Sequence, residues 1–122
     1  MTLEDKDLLL KDLCARVPYG VKLLHVPTNE ITTLEMIGKY FVDGDIHDSI
    51  EYFKPCLFPL LSMTEEQCDE LYAISELQLT FSPAMRIKVY KNTIEWFLKN
   101  HIDYCGLIEK GHAVDATSLN IY

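Results

Sequence analysis

No apolar run in this chain approaches the roughly 20 residues needed to cross a bilayer. The start, Met1-Thr2-Leu3-Glu4-Asp5-Lys6-Asp7, has neither the basic nor the apolar region of a signal peptide. The four cysteines, Cys14, Cys56, Cys68 and Cys105, include no Cys-x-x-Cys pair. These absences give the expectation of a cytoplasmic protein with reduced thiols and no membrane association. There is also no Gly-x-x-x-x-Gly-Lys phosphate loop, no dinucleotide fingerprint and no Gly-x-Ser-x-Gly elbow, so no cofactor is expected. Positive charge is scarce: 11 Lys and Arg face 19 Asp and Glu, a formal net charge of −8. Such a balance opposes direct contact with nucleic acid or anionic lipid.

What is present suits one globular domain over residues 1–122. The composition is 48% hydrophobic and 25% charged, near the globular average. A chain of 122 residues can bury a core of its own. Residues 1–61 hold six basic and ten acidic side chains and residues 62–122 hold five and nine, so charge marks no boundary. The expected fold is α+β: an N-terminal helix, a small antiparallel sheet, open or barrel-like, then a capped helix, a short hairpin and C-terminal helices. The β-rich part covers about 19–60 and the helical part about 64–112.

Thr2 and Asp5 form a capping box for the first helix. Leu9, Leu10, Leu13, Cys14 and Val17 make its apolar stripe opposite Lys6, Lys11 and Asp12, and Arg16 suits the dipole at its end. Pro18 and Gly20 stop it. Val21–Val26 reads as a strand, Pro27-Thr28-Asn29 as a turn, and Ile31–Ile37 and Lys39–Val42 as strands around Gly38. Thr33–Phe41 also fits a helix. Asp43-Gly44 signals a hairpin, followed by a strand with Ile46, Ile50 and Tyr52 on one face and His47, Glu51 and Phe53 on the other.

Pro55 and Pro59 lack ladder donors, which assigns Cys56–Leu60 to an edge or a packed crossing segment. Thr64 and Gln67 form a second capping box, with Met63 and Cys68 placed for a hydrophobic staple. The helix they open turns Cys68, Leu71, Tyr72 and Ser75 to one side. Leu77–Phe81 and Met85–Tyr90 read as strands around Ser82-Pro83, and Asn92 with Glu95 as a further capping box. Asp103 caps a last short helix ending at Gly111, and Val114–Tyr122 is an extended tail packing through Leu119 and Ile121.

Candidate chemistry is thin. Asp43, Asp45, His47 and Asp48 gather in one loop, but an EF-hand alignment puts Asp48 where Gly is required and Lys54 where a bidentate acid is required. A solvated hairpin tip is the favoured reading. His101, Asp103, Cys105 and His112 are the densest set of metal ligands or Cys–His partners, yet lack paired zinc spacing. Packing and surface roles are favoured for them. Arg86, Lys88, Tyr90 and Lys91 suggest a phosphate-contacting face, against the plainer reading of a solvated strand edge. Phe58, Trp96 and Tyr104 are the candidate interaction residues, since aromatics of this kind anchor interfaces.

Several stretches together resemble a family of small uncharacterised proteins of Bacteroides-type gut bacteria and their mobile elements. They are Leu8–Arg16 with Pro18–Val21, Lys54–Gln67 (KPCLFPLLSMTEEQ), Asp103–Gly111 (DYCGLIEKG) and Asp115–Tyr122. Family members tend to carry Tyr where Cys56 stands, Ser at Leu61, Arg at Cys105, Leu at His112 and Gly at Ser118. The change at Cys105 argues against a family-wide catalytic pair with His112. No activity, cofactor or partner comes with the resemblance.

The expectation is therefore a non-enzymatic accessory or interaction protein with a protein partner. The alternatives are an acidic inhibitor imitating nucleic acid through Glu65, Glu66, Asp69 and Glu70, and a hydrolase or transferase using Cys105 or His101.

Overall fold

Thr2 opens the first helix as its sequence implies. The Thr2 hydroxyl accepts from the Asp5 N–H and Asp5 Oδ2 accepts from the Thr2 N–H, both at 3.1 Å. The computed structural model describes residues 2–35, 50–76 and 82–122. Helix α1 spans Leu3–Arg16 and buries Leu9 and Leu13 completely. Cys14, expected within the apolar stripe, is exposed, whereas Asp12, expected opposite it, is buried. The helix tightens into a 3-10 turn at Val17–Tyr19 and ends at Gly20, whose φ of +69° is the left-handed conformation glycine accepts most readily.

Strand β1 (Lys22–His25) follows and pairs antiparallel with β2 (Glu30–Thr33) across a turn in which Asn29 has φ +58°. On its other side β1 pairs antiparallel with β3 (Phe53–Pro59), with Leu23 opposite Pro55. Strand β3 also pairs in parallel with β4 (Ile102–Asp103) and β5 (Val114–Asp115). The fold is α+β as expected; the five-stranded sheet is open, the barrel alternative not being taken, and it is mixed where an antiparallel one was expected, since β4 and β5 run parallel to β3.

Its middle is the segment expected either at an edge or packed across the fold, and it is the packed position that it takes. Pro55 and Pro59 are tolerated there because both share the parity of Leu57, on the flank where β5 pairs with Cys56 and Leu57 alone and asks no N–H of either proline. The Phe58 N–H, of the other parity, donates to the His101 carbonyl at 2.8 Å, and Leu57 O accepts from the Ala116 N–H at 2.8 Å. The residues Ile50–Tyr52, expected to alternate in a strand, form a 3-10 turn. One cluster joins helix and sheet: Leu9 and Leu13 pack with Val21, Leu23, Leu34, Ile50, Leu57, Leu107 and Ala113. Each leucine, isoleucine or valine among them contributes about 1.5–3 kcal/mol on burial.

A 3-10 turn at Leu60–Ser62 leads to the second capping box. Gln67 N–H donates to Thr64 Oγ1 at 3.1 Å, and Thr64 N–H donates to Gln67 Oε1 at 3.0 Å. Helix α2 (Glu65–Glu76) turns Gln67, Leu71 and Ile74 partly inward, while Cys68 and Tyr72, expected inward, are exposed.

Helix α3 (Pro83–Lys99) replaces the expected strand Met85–Tyr90 and the helix start at Asn92. Ser82 is its N-cap, accepting from Met85 N–H at 3.5 Å, and Pro83 sits in the first turn, where a missing N–H costs nothing. The alternation of Arg86, Lys88 and Tyr90 with Ile87 and Val89 is incidental to a largely solvated helix. Helix α2 packs on α3, which packs in turn on β4 and α1.

The last helix expected between Asp103 and Gly111 is a run of turns, and β5 accounts for only two residues of the expected tail. The expected strands beyond Glu35 and at Leu77–Phe81, the hairpin at Asp43-Gly44 and the loop with Asp45, His47 and Asp48 lie outside the described residues. Among the described residues, no helix is long and apolar enough to cross a membrane.

Candidate functional site

Arg16 is the first unexpected feature of the region around residues 102–109. One turn after Asp12 on α1, it is wholly buried. Its Nε donates to Asp12 Oδ2 at 2.7 Å and its Nη2 to the Ile102 carbonyl at 2.7 Å, tying α1 to β4. The guanidinium carbon lies 5.6 Å from the centroid of the Tyr104 ring, within cation–π range. Tyr104 stacks on Phe97 (5.5 Å, 22°), and Phe97 meets Trp96 edge-on (5.7 Å, 75°). Trp96 Nε1 donates to Glu70 Oε2 at 3.2 Å, so the series of contacts runs from α1 to α2.

Asp103 fixes the loop after β4. Its Oδ1 accepts from Leu107 N–H and its Oδ2 from Ile108 N–H, each at 2.9 Å. The capping role expected of this residue is present, applied to a turn. Gly106 at φ +73° lets the loop reverse. Together, the loop and the 3-10 turn after β3 enclose a groove of about 420 Å³. Pro59, Leu60 and Leu61 line one side, and Tyr104, Cys105 and Ile108 the other, with Glu109 adjoining. Leu61 is 98% exposed.

His101 and Tyr122 form a second feature. Their rings stack at 3.8 Å and 14°, with Phe58 tilted against Tyr122 at 5.6 Å. The Tyr122 hydroxyl donates to the Cys56 carbonyl and accepts from the Lys22 N–H, each at 2.7 Å, bridging β3 and the start of β1. Burial, reinforced by the charges of Arg16 and Lys22, pulls the His101 imidazole down to about 4, so it is neutral near pH 7. Burial pushes the Tyr122 phenol up to about 12.

The four residues considered for metal or nucleophilic chemistry have separate partners. His101 stacks on Tyr122, and Asp103 caps its loop. His112 Nε2 is 3.7 Å from Asp5 Oδ2 at the start of α1. Burial pushes the Cys105 thiol up, with Asp12 adding to the effect, which disfavours thiolate. Burial likewise raises the Tyr104 phenol to about 12. Among the described residues, no group of three or more His, Cys, Asp or Glu could hold a metal ion.

Each candidate aromatic lines a groove. Tyr104 lines the one beside Leu61, and Trp96 lines one of about 490 Å³ with Tyr19 and Ile74. Phe58 lines one of about 230 Å³ with Thr64 and Thr117. Sequence reasoning missed Leu60 and Leu61, although two leucines between Pro59 and the Thr64 cap have too little chain to form an element of their own. It also missed the burial of Arg16, for which the Asp12 spacing was the available signal.

No family model, curated protein or solved structure matches this chain.

Proposed function

We propose that the protein is a non-enzymatic, cytoplasmic interaction module that docks a protein partner at the groove between Leu60–Leu61 and the loop 104–109. One observation carries this reading: Leu61 projects 98% exposed at the lip of an apolar groove of about 420 Å³. A single exposed leucine is ordinary on a protein surface. A leucine projecting beside a groove that can receive an apolar side chain has the knob-and-pocket form of an interface centre. Glu109 at the groove and the net charge of −8 favour a partner with a basic rim. In the setting the family resemblance suggests, a mobile element of a gut bacterium, such a module acts as an accessory to a larger protein.

The other readings have less support. A thiol pushed up by burial and an imidazole held neutral and stacked on Tyr122 are poor equipment for nucleophilic catalysis. Glu65, Glu66, Asp69 and Glu70 share one side of α2 but extend only about 7.5 Å along it, too short for a run of phosphates.

The test is site-specific photo-crosslinking in native cells from a benzoylphenylalanine at position 61. A discrete adduct that disappears when Ile108→Asp is added supports the reading. No adduct, or adducts indifferent to Ile108→Asp, overturns it.

A further inference from the structure

Charge on helices α2 and α3 is segregated by helix. Helix α2 carries Glu65, Glu66, Asp69, Glu70 and Glu76 with no Lys or Arg, a formal −5. Helix α3 carries Arg86, Lys88, Lys91 and Lys99 against Glu95, which is 4 − 1 = +3 on a chain whose total is −8. A hydrogen bond from Trp96 Nε1 to Glu70 Oε2 joins the two helices and uses no cation of α3. Among the described residues no ion pair joins the two helices, and the pair on α3 is internal, Lys91 with Glu95 at 3.8 Å.

The same helices display apolar side chains. Ile87 is 71% exposed and Tyr90 66%, and their spacing of three places them on one face of α3. Tyr72 on α2 is 67% exposed. Of its 17 residues α3 buries Val89 and Leu98 and half-buries Met85, Thr93, Ile94, Trp96 and Phe97, so its C-terminal half is the better covered and Ile87 and Tyr90 stand on the open N-terminal half.

We propose that this pair of helices is the face on which a second copy of the chain docks, α2 of each protomer lying against α3 of the other. A two-fold axis makes the two contacts equivalent, so each acidic helix meets a basic one twice over, with Ile87 and Tyr90 enclosed between them. An anionic membrane or a nucleic acid would attract α3 yet be repelled by α2 and by the net charge. A second copy satisfies both helices. Repulsion between the remaining charges of two acidic chains is screened over about 8 Å in physiological salt, whereas packed helices bring their own charges closer than that. The groove beside Leu61 shares no residue with this face, so the two surfaces stand or fall separately.

The experiment is sedimentation equilibrium of the full chain with three variants, circular dichroism confirming the fold of each. The wild type is expected to be a dimer that weakens with salt. Ile87→Glu with Tyr90→Glu gives a monomer. So does Glu65→Lys with Glu66→Lys and Asp69→Lys, which takes α2 from −5 to +1, and so does Lys88→Glu with Lys91→Glu, which takes α3 from +3 to −1, each losing about tenfold or more in affinity. An equimolar mixture of the two charge-reversed variants restores a dimer, because every helix contact is again between opposite signs. A wild type that stays monomeric at about 100 μM, well above a micromolar Kd, overturns the proposal. A dimer that survives both reversals, a mixture that fails to re-associate, or a monomer that binds anionic vesicles or DNA through α3 overturns it equally.

Discussion

Arg16 Nε meets Asp12 Oδ2 at 2.7 Å with both side chains closed to solvent, one turn apart on α1. Helical spacing brings the two together, and the fold then removes water from around them. Burial pushes the Asp12 carboxyl up while Arg16 pulls it down. The guanidinium also reaches the Ile102 carbonyl, 86 residues away in sequence.

Arg16→Met is therefore expected to destabilise the protein by about 3–5 kcal/mol, since it leaves Asp12 buried and uncompensated. Adding Asp12→Leu should recover most of that loss. Urea denaturation of the two variants decides the matter, and equal stabilities would show that the carboxylate is not the source of the cost.

Stability should fall as pH drops from about 6.5 towards about 4 because of His101. Above that window the imidazole is neutral in folded and unfolded chains alike. Within it the unfolded chain binds a proton that the folded chain resists, so unfolding is favoured progressively. His101→Asn keeps a residue suited to the φ of +58° and should flatten the profile relative to wild type. Parallel profiles would mean that His101 does not contribute.

The thiols should sort by position under iodoacetamide at pH 7.5. Cys14 and Cys68 are exposed and react first, Cys105 is slow, and buried Cys56 reacts after unfolding. Burial pushes the Cys56 thiol up as well, reinforcing that order. Peptide mapping of the alkylated protein checks it. Fast, selective modification of Cys105 would revive the enzymatic reading.

Tyr122→Phe removes the hydroxyl shared by Cys56 O and Lys22 N–H, at an expected cost of about 1–3 kcal/mol. Spectrophotometric titration supplies an independent readout. Tyr104 and Tyr122 should ionise near 12, and the variant should lose one tyrosine of that late class.

Legibility in the sequence followed the range of the interactions. The capping boxes at Thr2 and Thr64, the stop at Gly20 and the Asp103 cap are closed within a few residues, so residue type and spacing reveal them. Helix α3 was hidden because Ser82-Pro83 serves equally as a turn and as a helix start, and because a largely exposed helix has little apolar periodicity. The central place of β3 depends on β4 and β5, whose two-residue strands carry no signal of their own. At the candidate site Tyr104 stood out as an aromatic, whereas the exposure of Leu61 follows from packing that composition does not encode.

The Tyr122 hydroxyl has a consequence for how the chain folds. It joins positions 100 residues apart at Lys22, while β4 and β5 reach β3 from residues 102 and 114. A sheet assembled from such remote pieces has a high contact order, which slows folding because loop closure precedes the stabilising contacts. On the ribosome β1, β2 and β3 emerge well before their partners. Until residues 102–122 arrive, the stretches of β3 that β4 and β5 cover, which face opposite sides of the strand, are open templates, and the nascent chain is most prone to aggregation at that stage.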